Sequence, residues 1–220
     1  HKGNVPANNG ETMSLKMDEY NVVTDILLDD GNAEESNYSI GYTIISRDLL
    51  MNLVEEAYNN DLSSFNREVL AEKVKNLKMV GFEHSGYVTF MNSTNSYYKT
   101  SMDLLNPEIR KQLFNRERPI YTKTRNDMPT RYGTKSQVKN SLIAAGCVIE
   151  GTVINSILFR GVKVEKGAVV KNSILMQETK VGANSQLDNV IADKNAAIGE
   201  EMILKGTASK RFFIKKNEVV

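Results

Sequence analysis

The last third of the chain repeats itself. Four similar steps occur there: Asn140-Ser141-Leu142-Ile143, Asn155-Ser156-Ile157-Leu158, Asn172-Ser173-Ile174-Leu175 and Asp188-Asn189-Val190-Ile191. Their third residues, Leu142, Ile157, Ile174 and Val190, are 15, 17 and 16 positions apart. A finer step of six runs inside them, from Val162 to Ala168 to Ile174, with Gly161 and Gly167 one place before the first two. An apolar residue at every sixth position fits three short strands that close one triangular coil and stack on the next. The pattern predicts a parallel β-helix of about four to five coils over residues 138–220. Its end, Phe212-Phe213-Ile214, reads as a last strand that caps the stack, because a repeat array needs a closed terminus.

The bulk composition excludes several classes. Lys+Arg (28) nearly balance Asp+Glu (27) in 220 residues, so there is no basic excess for nucleic acid. No apolar run reaches the roughly 18 residues of a membrane span, and the polar start has no signal-peptide core. One cysteine, Cys147, permits no intrachain disulfide. It fits a reducing, cytoplasmic setting, and its place in Gly146-Cys147-Val148-Ile149 makes it a small packing residue. Residues 1–36 are polar and start without Met, which reads as a C-terminal piece of a larger protein with His1 left from cloning.

Before the repeat the period changes. Val22–Leu28 and Ser39–Ile45 read as strands, the second of them buried. Ser46 stands at an N-cap before Leu49, Leu50, Leu53, Val54 and Ala57, at helical spacing. A second helix is expected from Ser64 to Lys75, strands at Met79–Glu83 and Gly86–Met91, and a third helix from Thr94, ended by Asn106-Pro107. Alternating strands and helices predict an α/β domain over 1–106. Residues 107–137, with Pro119 and Pro129, read as a connector. The aromatic set Tyr87, Phe90, Tyr97 and Tyr98 is expected to fill core between the last helix and strand.

Two chemistries common on hexapeptide β-helices need histidine, as acyl-transfer base or as metal ligand. The chain has only His1 and His84, neither in the repeat. The β-helix is therefore expected to be an assembly surface or a regulatory arm.

The segment Gly86 to Leu105, the connector pieces Arg118-Pro119-Ile120-Tyr121-Thr122 and Asp127-Met128-Pro129, and Gly146–Gly151 together resemble the glucose-1-phosphate adenylyltransferases (ADP-glucose pyrophosphorylases). The resemblance covers most of residues 20–204. It implies the end of a GT-A-like nucleotidyltransferase domain followed by a left-handed β-helix. It also implies Mg²⁺ chemistry in catalytic members, an oligomer, and phosphorylated effectors held between the domains. For such an effector Arg116, Arg118, Lys123 and Arg125 are candidate anion contacts, with a solvated linker as the plainer reading.

The departures from the family pattern carry the functional expectation. Phe90 stands where the family has the Asp that helps hold Mg²⁺, and a phenyl ring offers no oxygen donor. Asp29 stands where a Lys contacts the sugar phosphate, so it would repel the anion. Only Ser39 and Gly41 keep the family's sugar-pocket pattern, as remnants. The chain therefore resembles the non-catalytic, GlgD-type branch. That implies a regulatory subunit for a catalytic partner in glycogen biosynthesis, with no cofactor of its own. A fragment of an active sugar-1-phosphate nucleotidyltransferase is the alternative. An α/β part lacking partner strands is expected to expose apolar surface and sheet edges.

Overall fold

The structure, a computed structural model, describes residues 1–3, 12–29 and 36–220. These residues form two compact units, His1–Val88 and Thr89–Val220.

In the first unit β1 (Lys2–Gly3), β2 (Thr12–Met17), β3 (Val23–Asp29) and β4 (Ser36–Tyr38) form an antiparallel sheet in the order β1-β4-β2-β3. The β2–β3 turn is built by Asp18, whose Oδ1 accepts the N–H groups of Tyr20 and Val22, each at 2.9 Å. Asn21 takes the left-handed conformation there (φ 59°), which Asn tolerates better than most residues. Helix α1 (Arg47–Asn59) starts where expected, with Ser46 Oγ accepting the N–H of Leu49 at 3.4 Å. A π-helical turn, Phe65–Leu70, runs into the short helix α2 (Ala71–Lys73). The Glu68 carboxylate accepts the N–H groups of Ser64 and Ser63 at 2.7 Å, and those bonds hold its carboxyl below the usual range.

Three expected strands are not formed. Residues 39–45, expected as a buried strand, are irregular, with Tyr42 and Ile44 exposed to solvent. Residues 79–83 contribute an isolated bridge, Val22 to Val80, and residues 86–91 are assigned to no strand. A β-prone run becomes a strand only where an edge receives its N–H and C=O groups. Among the described residues the edge strand β3 is met at its start, where the Val23 N–H donates to the Met79 carbonyl and the Gly81 N–H to the Asn21 carbonyl, and the contact does not extend into a ladder. The expected exposure of apolar groups is present: Tyr42, Ile44, Tyr58, Val80 and Phe82 all face solvent.

The second unit opens with α3 (Thr94–Asp103) and α4 (Pro107–Leu113). Ser93 and Ser96 form a reciprocal capping box at the start of α3, with bonds of 3.1 and 2.9 Å. Asn106-Pro107 ends one helix and also starts the next. Asn106 Oδ1 accepts the Glu108 N–H at 2.9 Å, and Pro107 takes the first helical position, where its missing N–H costs nothing.

The remainder is a parallel β-solenoid of about four turns, the left-handed β-helix of hexapeptide repeats. Its first face stacks Arg131–Tyr132, Val148–Ile149, Lys163–Val164, Lys180–Val181 and Ala197–Ile198. The second stacks Gln137–Lys139, Thr152–Ile154, Val169–Lys171, Gln186–Asp188 and Ile203–Lys205. The third stacks Leu142–Ile143, Ile157–Leu158, Ile174–Leu175, Val190–Ala192 and Phe212–Ile214. The stack thus starts at Arg131, earlier than residue 138, on a coil without the Asn-Ser signature. Phe212–Ile214 forms the expected last strand of its face.

Inward residues form columns: Ile149-Val164-Val181, Val153-Val170-Leu187 and Leu158-Leu175-Ala192-Ile214, all buried. Cys147 belongs to the same interior and donates its S–H to the Phe159 carbonyl at 3.1 Å. Burial pushes this thiol up from its ordinary value, so it is a packing group.

The repeat that marks the sequence is a corner. Asn140, Asn155, Asn172 and Asn189 all adopt the left-handed conformation (φ 45° to 56°) between the second and third faces. Their amides form a ladder, Asn140 Nδ2 to Asn155 Oδ1 (2.9 Å), Asn155 Nδ2 to Asn172 Oδ1 (2.7 Å) and Asn172 Nδ2 to Asp188 Oδ1 (2.9 Å). Beside it the Ser156 N–H bonds Ser141 Oγ, the Ser173 N–H bonds Ser156 Oγ, and the Val190 N–H bonds Ser173 Oγ, at 3.1 to 3.2 Å. The register pairs Ile174 with Ile191, so the fourth step is 17 residues and not the 16 expected from Val190. The aspartate that shifted the reading supplies the ladder's last oxygen.

Candidate functional site

The outward side chains of a solenoid face ordinarily meet water. In the middle of the third face they do not: Ile174 and Ile191 are 0% and 1% exposed, and Ile157 is 7%. Helix α3 covers them with Tyr97, Tyr98 and Met102, and Leu105 of the turn after it packs alongside. Sequence periodicity identifies this apolar stripe and assigns it to the α/β part; in the structure it closes over the solenoid instead. Of the aromatic set, Tyr97 and Tyr98 fill core as expected, against the isoleucine column and not against a strand of the first unit.

Polar contacts hold α3 at defined points. Tyr98 Oη donates to the Asn172 carbonyl at 2.7 Å, so the helix is tied to the corner ladder. The Arg211 guanidinium lies 4.0 Å from the centre of the Tyr98 ring, a cation–π geometry. Asn95 Nδ2 donates to the Ser209 carbonyl at 3.2 Å. Burial raises the Tyr98 phenol above its ordinary value, and burial likewise raises Tyr97.

Upstream of α3, Thr89 Oγ1 lies 2.7 Å from Thr100 Oγ1, which fastens the chain just before Phe90 to the helix. Phe90 is half-buried in this segment of the second unit. In the first unit Ser39 Oγ accepts the Gly41 N–H at 3.2 Å, and Gly41 takes a left-handed φ of 82°. The Ser-x-Gly spacing therefore builds a local turn. Asp29 ends β3, and its side chain lies outside the described residues. Arg116, Arg118, Lys123 and Arg125 are exposed in irregular chain, and none of them forms a salt bridge among the described residues.

The donor set does not fit the Mg²⁺ that the family chemistry implies. Phe90 has no oxygen to give, and no group of three or more His, Cys, Asp or Glu side chains able to hold a metal ion comes together among the described residues. Arg211 and Asn95 carry no motif in the sequence, and Asn172 is marked there only as part of the repeat. The signal available was spacing: Ile191 pairs with Phe213, a step of 22 residues where the two before it are 17.

Comparison with known proteins agrees with this architecture. Residues 126–220 match the family described as GlmU-like, C-terminal hexapeptide. The glycogen biosynthesis protein GlgD of Bacillus subtilis is 40% identical over 177 residues, 80% of this chain and 50% of that protein. The chain belongs with the GlgD proteins and the glucose-1-phosphate adenylyltransferases. GlgD of Geobacillus stearothermophilus is 41% identical over 120 residues, 54% of this chain and 35% of that protein. The glucose-1-phosphate adenylyltransferase of Bacillus thuringiensis is 33% identical over 168 residues, 76% of this chain and 43% of that enzyme. The chain thus spans about half the length, or less, of these relatives. Among its described residues no helix is long and apolar enough to cross a membrane.

Proposed function

We propose that this protein serves glycogen synthesis as a regulatory and assembly subunit, modulating an enzyme that makes ADP-glucose from ATP and glucose 1-phosphate. The observation that carries the reading is Phe90. On the family resemblance Phe90 stands where catalytic members have a metal-ligand Asp, and a phenyl ring there would leave the charge on the transferring phosphoryl group uncompensated. The remaining polar features of the expected sugar pocket are spent locally, as the Ser39–Gly41 turn illustrates. Regulation would act through differential contact of this subunit with two states of a catalytic partner. Arg116, Arg118, Lys123 and Arg125 are the groups available to a phosphorylated effector in that complex.

The test is to titrate this protein into a glucose-1-phosphate adenylyltransferase and to follow ADP-glucose formation. A saturable change in maximal rate or effector response, with no turnover by this protein alone, is expected. No change at any ratio would remove the regulatory reading. Turnover by this protein alone would favour the second reading, an active nucleotidyltransferase, which its 33% identity to such enzymes keeps in view.

A further inference from the structure

The last coil is longer than its neighbours, and the added length touches α3. Successive pairs on the third face are 17 residues apart from Ile157 to Ile174 and from Ile174 to Ile191, then 22 from Ile191 to Phe213. The extra residues make the loop Gly206–Arg211, which leaves the solenoid wall after Lys205 and returns at Phe212. Inside the loop, Lys210 N–H donates to Thr207 Oγ1 at 3.0 Å. Arg211 Nη1 donates to the Thr207 carbonyl at 2.6 Å and also to the Ala208 carbonyl. The loop's own backbone thus aims the guanidinium, whose central carbon lies over the Tyr98 ring. A planar cation fixed by carbonyls suits stacking on an aromatic ring better than a flexible ammonium does.

We propose that the Gly206–Arg211 insertion is a latch that holds α3 on the third face of the solenoid. With Tyr98 Oη on the Asn172 carbonyl and Asn95 on the Ser209 carbonyl, it grips one edge of the helix from two coils at once. Apolar contact with the isoleucine column supplies adhesion but little register, since it is non-directional. The latch supplies the register. Because Thr89 is bonded to Thr100 and Ser93 caps α3, the Phe90 segment is carried with the helix. The solenoid's last coil therefore sets the position of the Phe90 segment. This inference stands independently of the proposed function.

The test is a double-mutant cycle of Arg211→Ala, Tyr98→Leu and the pair, read by amide hydrogen exchange of the whole chain. Each single change is expected to speed exchange in 94–103 by about three- to thirtyfold, the range of a cation–π contact, while the inner solenoid strands stay protected. The pair is expected to do little more than Tyr98→Leu alone, because both changes remove one contact. Tyr98→Phe keeps the ring under the guanidinium and loses only the bond to Asn172, so its effect is expected to be smaller and to add to that of Asn95→Ala. Unchanged exchange in 94–103 with Arg211→Ala, fully additive effects of Arg211→Ala and Tyr98→Leu, or an equal rise throughout the solenoid would each overturn the latch.

Discussion

The solenoid and the first unit are built by the same chain but specified in different ways. In the solenoid each strand finds its partner 15 to 17 residues away along most of its length, and each corner residue finds its own kind. One short instruction repeated there determines register, corner and core together. In the first unit the sheet β1-β4-β2-β3 and the helices α1 and α2 share only a few buried apolar side chains, among them Met13, Val23, Leu53, Val69 and Val74. Large apolar groups such as Tyr42, Ile44 and Phe82 remain in water. Stability in a repeat stack is a sum of nearest-neighbour terms, whereas a sheet with unused apolar surface depends on whatever else covers it.

The largest expected effect breaks the stack at its middle. Leu175 is fully buried between Leu158 and Ala192. Leu175→Ala should destabilise the solenoid by about 2–5 kcal/mol, measured by denaturant unfolding with exchange as a regional readout. Leu53→Ala, which removes the same atoms from the thinner core of the first unit, should cost toward the lower end of that range because the site can collapse further. It should also leave the inner solenoid amides protected. Loss of solenoid protection with Leu53→Ala would mean that the two units are not energetically separate.

A smaller effect separates the two roles of the corner asparagines. Asn172 has φ 46° and bonds on both sides in the ladder. Asn172→Gly keeps the left-handed backbone and loses the amide bonds, whereas Asn172→Ala loses both. The alanine variant should cost about 1–3 kcal/mol, and the glycine variant roughly half of that. Equal losses would show that the ladder alone matters, and a harmless glycine would show that it does not matter at all.

How much of this was legible in the sequence follows the same division. The repeat announced the stacking, and its Asn-Ser step proves in the structure to be the corner, where Asn tolerates left-handed backbone. The one slip, at Val190, arose where Asp188 gives the ladder oxygen one place before the left-handed Asn189. Helix starts were legible because Ser46, Ser64 and Ser93 satisfy backbone donors locally. The run 39–45 was misread because β propensity does not state where a partner edge lies. For the same reason α3 revealed its apolar face but not the isoleucine column that it covers. Arg211 was invisible because its partner, Tyr98, is more than a hundred residues away.

The smallest expected effect is chemical and tests how the covered face depends on Tyr98. Its phenol is raised above its ordinary value, first by burial, with Arg211 acting in the opposite sense. A phenol whose folded value lies above its unfolded one favours the folded state while it is neutral. Its contribution is whole below about pH 10 and is lost as pH rises through the folded value. The ionised oxygen could no longer donate to the Asn172 carbonyl, and both would then be acceptors. Ultraviolet titration at alkaline pH should therefore show a late-ionising tyrosine fraction that shrinks by one tyrosine in Tyr98→Phe, with Tyr97 and Tyr38 remaining in it. Exchange in 94–103 should rise above pH 10 beyond the intrinsic base-catalysed rate, and the Tyr98→Phe variant should lack that additional rise. Tyr97 is raised by burial too and has no bond to the ladder, so in Tyr98→Phe its residual late ionisation should leave the helix edge at Asn172 undisturbed.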